Sequence, residues 1–96
     1  MRQAYRSITK HTTFRLNAPE AQEVRVLVCL VKDDAKPMTR ALHKGLDGVW
    51  SLRTELARGR YVYRFLVDGA PVLDPTARID VEDDQGGKWS MREIGH

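Results

Sequence analysis

A chain of 96 residues, 42% hydrophobic and 30% charged, suits one globular domain with a modest core. No apolar run approaches the ~20 residues of a membrane-crossing helix. The opening residues MRQAYRSITK lack the apolar segment of a secretory signal, so the expected location is cytoplasmic, with no membrane partner.

The net charge of +3 is unevenly placed. Arg2, Arg6, Lys10 and Arg15 precede the first acid, Glu20, whereas Asp80, Glu82, Asp83 and Asp84 cluster near the other end. Residues 1–10 read as an N-terminal arm, and residues 11–96 as the folded domain. The arm is basic enough to meet phosphate but lacks the arginine density and interleaved aromatics of a nucleic-acid tail. A solvated segment is therefore expected, and nucleic acid is not an expected partner.

In chain order, HTTFRL (11–16) alternates Phe14 and Leu16 and is a short strand candidate. Asn17 and Pro19 mark the turn that follows. EVRVLVCLV (23–31) is β-branched and apolar at nearly every position after Arg25. Val24, Val26, Val28 and Leu30 would line one face, and Leu27, Cys29 and Val31 the other. A strand apolar on both sides is usually central in its sheet or covered. KDDAKP is a polar loop. MTRALHK offers a further strand with Met38, Arg40 and Leu42 in step.

VWSLRTEL (49–56) alternates again, with Trp50, Leu52 and Leu56 on one side. GRYVYRFLVDGAPVLDP (59–75) has the clearest pattern. Tyr61, Tyr63, Phe65 and Val67 share a face, Val62, Arg64 and Leu66 the opposite one, and Asp68-Gly69 is a two-residue hairpin turn. The return leg contains Pro71, which has no amide to donate, so that leg is expected at a sheet edge. DPTARIDVEDD follows, and GGKWSMREI is a last strand. Six to eight short strands with turn signals about every ten residues, and no helical pattern between them, predict an all-β antiparallel sandwich; the immunoglobulin-like type suits the length.

Few residues suggest chemistry. Cys29 is expected as a buried small apolar side chain and can form no internal disulfide. His11, His43 and His96 lack metal spacing. The acidic run 80–84 followed by two glycines lacks the alternating ligands and closing glutamate of an EF-hand and reads as a solvated loop. Asp68 and Asp74 read as turn residues rather than a carboxylate pair. There is no nucleophile motif, phosphate loop or dinucleotide fingerprint, so neither an enzyme nor a cofactor is expected.

TFRLNAPEAQEVRV, KPM, DGVWSL, RGRYVYRFLVDG and the pair Asp74-Pro75 together resemble the glycogen-binding domain of the AMP-activated protein kinase beta subunit and the isoamylase N-terminal early set domain, carbohydrate-binding module family 48. The resemblance spans residues 11–94 and is most specific over 48–75. It implies an early-set sandwich that does no chemistry and binds α-1,4-glucan, or survives as a docking module beside glucan enzymes. Carried over residue by residue, it retains a basic hairpin-strand residue as Arg64. The two platform tryptophans fall on Asp33 and Pro71, a glycine falls on Val28, and the asparagine and threonine near the last strand fall on Trp89 and Gly87.

A pyranose lies its apolar side against a flat aromatic, and burying one aromatic is worth roughly 1.5–3 kcal/mol. Asp33 and Pro71 cannot supply that, so weakened or altered binding is expected. Trp89 either faces outward beside Arg64, forming a small patch with Arg64 and Lys88 as the carbohydrate-binding residues, or packs inward or onto the arm. The alternative function is a protein-interaction or self-assembly module, a homodimer included, using the second apolar face of 23–31.

Overall fold

The structure is a computed structural model that describes residues 9–32 and 35–95. The arm residues 1–8, Asp33 and His96 lie outside the described residues, and with them the expectations placed on Arg2, Arg6 and the first platform position.

Among the described residues nine strands follow one another: β1 (Thr9–Asn17), β2 (Val24–Leu30), β3 (Met38–Ala41), β4 (His43–Lys44), β5 (Val49–Ala57), β6 (Gly59–Val67), β7 (Ala70–Val72), β8 (Ile79–Glu82) and β9 (Lys88–Ile94). They form two antiparallel sheets, one ordered β1-β5-β4 and the other β3-β2-β6-β9-β8 with β7 also on β6. The result is the expected all-β sandwich.

Alternation decides which way each strand faces. From the three-stranded sheet come Phe14, Leu16, Trp50 and Leu56, and from the larger sheet Val24, Val26, Val28, Tyr61, Tyr63, Phe65 and Ile94, all buried in one core. The ring of Phe14 meets that of Tyr63 edge-on at 5.1 Å, and Tyr63 meets Phe65 at 6.1 Å, so aromatics from both sheets bind the layers together. The Trp50 indole N–H donates to the carbonyl of Ala18 at 2.8 Å, which lets the large ring sit inside without stranding its donor.

Several boundaries differ from the sequence reading. The segment 38–44 is not one strand. β3 pairs with β2 in one sheet and β4 with β5 in the other, and buried Leu42 between them carries the crossing. The acidic run is only partly a loop. Asp80 and Glu82 belong to β8, because Ile79 and Val81 pair opposite Met91 and Trp89 on the outer face. Cys29 is not in the core; its side of β2 faces outward, where the thiol is half-buried. β2 is central, as expected, lying between β3 and β6.

The hairpin at residues 68–69 explains the proline. Asp68 and Gly69 both have positive φ, 50° and 88°, as a two-residue turn matched to strand twist requires. Val67 opposite Ala70 closes the turn as a hydrogen-bonded pair, so the next pair, Leu66 and Pro71, is of the non-hydrogen-bonded kind. The missing amide of Pro71 thus falls where β6 would not have used it. Asp68 also accepts the backbone N–H groups of Gln22 and Glu23 at 2.9 and 2.8 Å, tying the turn to the entry of β2.

Candidate functional site

The site is assembled on the outer face of the larger sheet. Since Tyr63 and Phe65 point into the core, Arg64 between them must point out. The same parity holds on β9, where Ser90 and Ile94 are buried and Trp89 is turned outward. Tyr63 pairs with Ser90, and the register continued by one step sets Arg64 across from Trp89. The guanidinium carbon of Arg64 lies 4.0 Å from the centroid of the indole. Such a cation–π contact is worth about 0.5–1 kcal/mol at an exposed position.

The position of Arg64 along β6 creates a hollow. One edge of β6 is taken throughout by β2, from Val24 opposite Val67 to Leu30 opposite Tyr61. The other edge is shared: β9 covers Gly59 to Tyr63, and β7 covers Phe65 to Val67. Arg64 stands at the seam. Between the diverging β7 and β9 is a concavity of about 330 Å³ lined by Arg64, Pro71, Val72, Leu73, Gly87 and Lys88. The sequence-expected residues Arg64 and Lys88, and the second platform position Pro71, are thereby brought to one place. Trp89 adjoins it as the surface on which Arg64 rests.

Asp83 holds this arrangement, and the sequence reading missed it. Its Oδ2 accepts the indole N–H of Trp89 at 3.0 Å. Its Oδ1 accepts the backbone N–H groups of Gln85 and Gly87 at 2.9 and 2.7 Å. These bonds, the indole's first, then the two amides, outweigh a small desolvation effect and hold the carboxyl below its usual range, with Arg64 adding a weak attraction. The signal was present in the sequence: an aspartate three residues ahead of a glycine pair is a self-bonding turn former. A Cβ at Gly87 would come within 2.7 Å of Asp83 Oδ2, so only glycine lets the carboxylate approach its own amides this closely.

Gly87, the aligned threonine position, lines the hollow, whereas the aligned glycine position does not join the site. Val28 is 2% exposed and faces the core. Among the described residues no three His, Cys, Asp or Glu side chains gather as a metal ion would need.

A second polar cluster lies at the open side between the sheets. Asp74, 4% exposed, accepts the Tyr63 hydroxyl at 2.6 Å on Oδ2, and the Thr76 amide and hydroxyl at 2.8 and 2.7 Å on Oδ1. Its own amide donates to Ser90 Oγ at 3.0 Å. Arg92 stacks on Phe14 and Tyr63 at 4.8 and 5.2 Å and donates to the Thr13 carbonyl at 3.0 Å on the free edge of β1. With every oxygen of Asp74 engaged, this cluster is a structural knot joining the 73–77 segment, both sheets and an edge strand.

No protein-family model matches this chain, and no curated protein does. Solved structures do. The chain is similar to a pullulanase from Anoxybacillus sp. LM18-11 complexed with maltotetraose, with a TM-score of 0.67 and 20% identity over 91% of this chain. It is similar to pullulanase type I from Bacillus subtilis str. 168 complexed with maltose, with a TM-score of 0.65 and 22% identity over 83% of this chain. A third, apo pullulanase from Paenibacillus barengoltzii, is 30% identical over 83% of this chain at a TM-score of 0.52. The chain spans only 11–13% of the length of these pullulanases, so the likeness is to one small domain of each.

Proposed function

We propose that this domain is a non-catalytic α-glucan-binding module whose recognition surface is the patch of Arg64, Lys88 and Trp89. The observation that carries the reading is the outward indole with Arg64 across it, beside a hollow of sugar dimensions. It joins an aromatic surface to fixed hydrogen-bond donors, the pairing that sugar sites use. The likeness of fold to a domain within pullulanases whose structures hold maltotetraose and maltose supports the substrate class. Binding is weak in this reading, since Pro71 is exposed on an edge strand and offers no flat aromatic face. Titration with maltoheptaose, followed by tryptophan emission, and migration in a glycogen-containing gel test it. No retardation and no emission change at millimolar sugar would reject glucan binding.

A second reading is favoured by the rest of the outer face. Cys29, Val62, Met91 and Ile79 pair across four neighbouring strands, β2, β6, β9 and β8, as an apolar row, and Ile79 is 54% exposed. A contiguous apolar row open to solvent is an association surface. Self-assembly through it gives a dimer by sedimentation at high concentration, and a strictly monomeric profile there would count against it.

A further inference from the structure

The charge around the hollow says more about the ligand than the indole does. Arg64 and Lys88 both line it, and no acidic side chain does. Among the described residues neither side chain makes an ion pair or a hydrogen bond, and Arg64 Nε is buried with no acceptor. Glu82 stands opposite Lys88 in the β8–β9 register, and Asp83 attracts Arg64. Both its oxygens are engaged by Trp89, Gln85 and Gly87 within its own hairpin. Two cations thus line one concavity whose wall carries no carboxylate, and among the described residues neither Asp83 nor Glu82 forms an ion pair with them.

A neutral sugar would use this poorly. Arg64 rests on one face of the indole, and the wall of the hollow at Pro71, Val72 and Leu73 is aliphatic rather than aromatic. Hydroxyl groups would compete with water for the donors. An oxyanion makes charge-assisted bonds about twice as strong as neutral ones, and in the hollow it would accept from the accessible donors of Arg64 and Lys88. A phosphate monoester carries between one and two negative charges near neutral pH, matched to one guanidinium and one ammonium.

We infer that the hollow between β7 and β9 is a subsite for an α-glucan bearing a phosphate ester. The phosphate lies between Arg64 and Lys88, and the sugar ring lies along Pro71 to Leu73. The inference rests on the glucan-binding reading and adds the substituent. Calorimetric titration of the full chain with three probes tests it: maltoheptaose, maltoheptaose carrying a single phosphate at a C6 hydroxyl, and inorganic phosphate. The phosphorylated oligosaccharide binds about tenfold or more tighter than the neutral one at low salt. That advantage falls to about threefold or less at high salt and in Lys88→Gln, whose exposed side chain is not needed for folding.

Equal affinity for the two oligosaccharides would overturn the subsite and leave glucan binding standing. Failure of both oligosaccharides to bind would remove both readings. Inorganic phosphate binding as tightly as the phosphorylated sugar would overturn the inference by showing a site for the anion alone. A full preference retained in Lys88→Gln would also overturn it, since the phosphate would then be held elsewhere.

Discussion

The hydroxyl of Tyr63 donates to Asp74 at 2.6 Å inside the sandwich, linking the middle of β6 to the segment that follows β7. Burial of the phenol and its bond to the carboxylate push the Tyr63 pKa well above its ordinary value. Burial tends to raise Asp74, but the bonds from Tyr63 and Thr76 and the charge of Arg92 prevail, leaving it lowered. Tyr63→Phe strands a buried acceptor, and a loss of about 1–3 kcal/mol in chemical denaturation is expected. Asp74→Ala costs more, because the Tyr63 hydroxyl and both Thr76 donors lose their acceptor together.

The same pair sets the pH dependence. A carboxyl whose folded pKa is depressed contributes stability above its unfolded value of about 3.9, and that contribution disappears as pH falls through the lower folded value. A phenol whose folded pKa is raised contributes fully below about 10 and loses that contribution as pH rises beyond it. Melting temperatures measured against pH should therefore fall at both extremes. Asp74→Asn flattens the acid limb, and Tyr63→Phe flattens the alkaline one.

In the proposed glucan-binding reading, Trp89 separates recognition from stability. Its ring is on the outer face, and its contacts to Arg64 and Asp83 are peripheral to the core. Trp89→Ala should change unfolding free energy by about 1 kcal/mol or less. It should abolish both the glucan-induced emission change and gel retardation. A destabilisation comparable to that of a core aromatic, with sugar binding intact, would contradict the assignment.

Two glycines with positive φ should answer differently to the same change. Gly48, at φ 81°, would bring a Cβ within 2.9 Å of the Pro19 Cβ and 3.2 Å of its Cα. Gly69, at φ 88°, would meet nothing within 4 Å. Gly69→Ala carries only the backbone strain, of order 1 kcal/mol. Gly48→Ala adds a collision with a rigid ring and its backbone, and the larger fall in melting temperature is expected there.

The apolar row gives the fifth expectation. Val62→Asp places a charge in the middle of the outer face, between Cys29 and Met91, without touching the core. If the row associates, the substitution shifts the sedimentation profile to monomer while circular dichroism stays unchanged.

How much of the fold is legible in the sequence depends on the kind of information each residue carries. Period-two alternation in 59–67 and 49–56 already places Tyr61, Tyr63, Phe65, Trp50 and Leu56 inside, because a strand offers each side chain only two directions and water rejects one of them. The turn at Asp68-Gly69 and the edge position of Pro71 follow from local backbone chemistry alone. The break within 38–44 was invisible, since pairing partners for β3 and β4 come from distant parts of the chain. Cys29 was misplaced for a similar reason: apolar character shows a preference for burial, not whether another layer exists to provide it.

Composition and alternation thus determined the all-β class, most of the core and the outward face of Arg64, all properties of single strands, but not the full count of nine strands among the described residues. The tertiary structure decided that Arg64 stands across from Trp89, that Asp83 orients the indole, and that Lys88 shares a hollow with Arg64. Those are relations between residues on different strands. They depend on register and on the divergence of β7 from β9 along one edge of β6, which long-range pairing sets and no local stretch of sequence encodes.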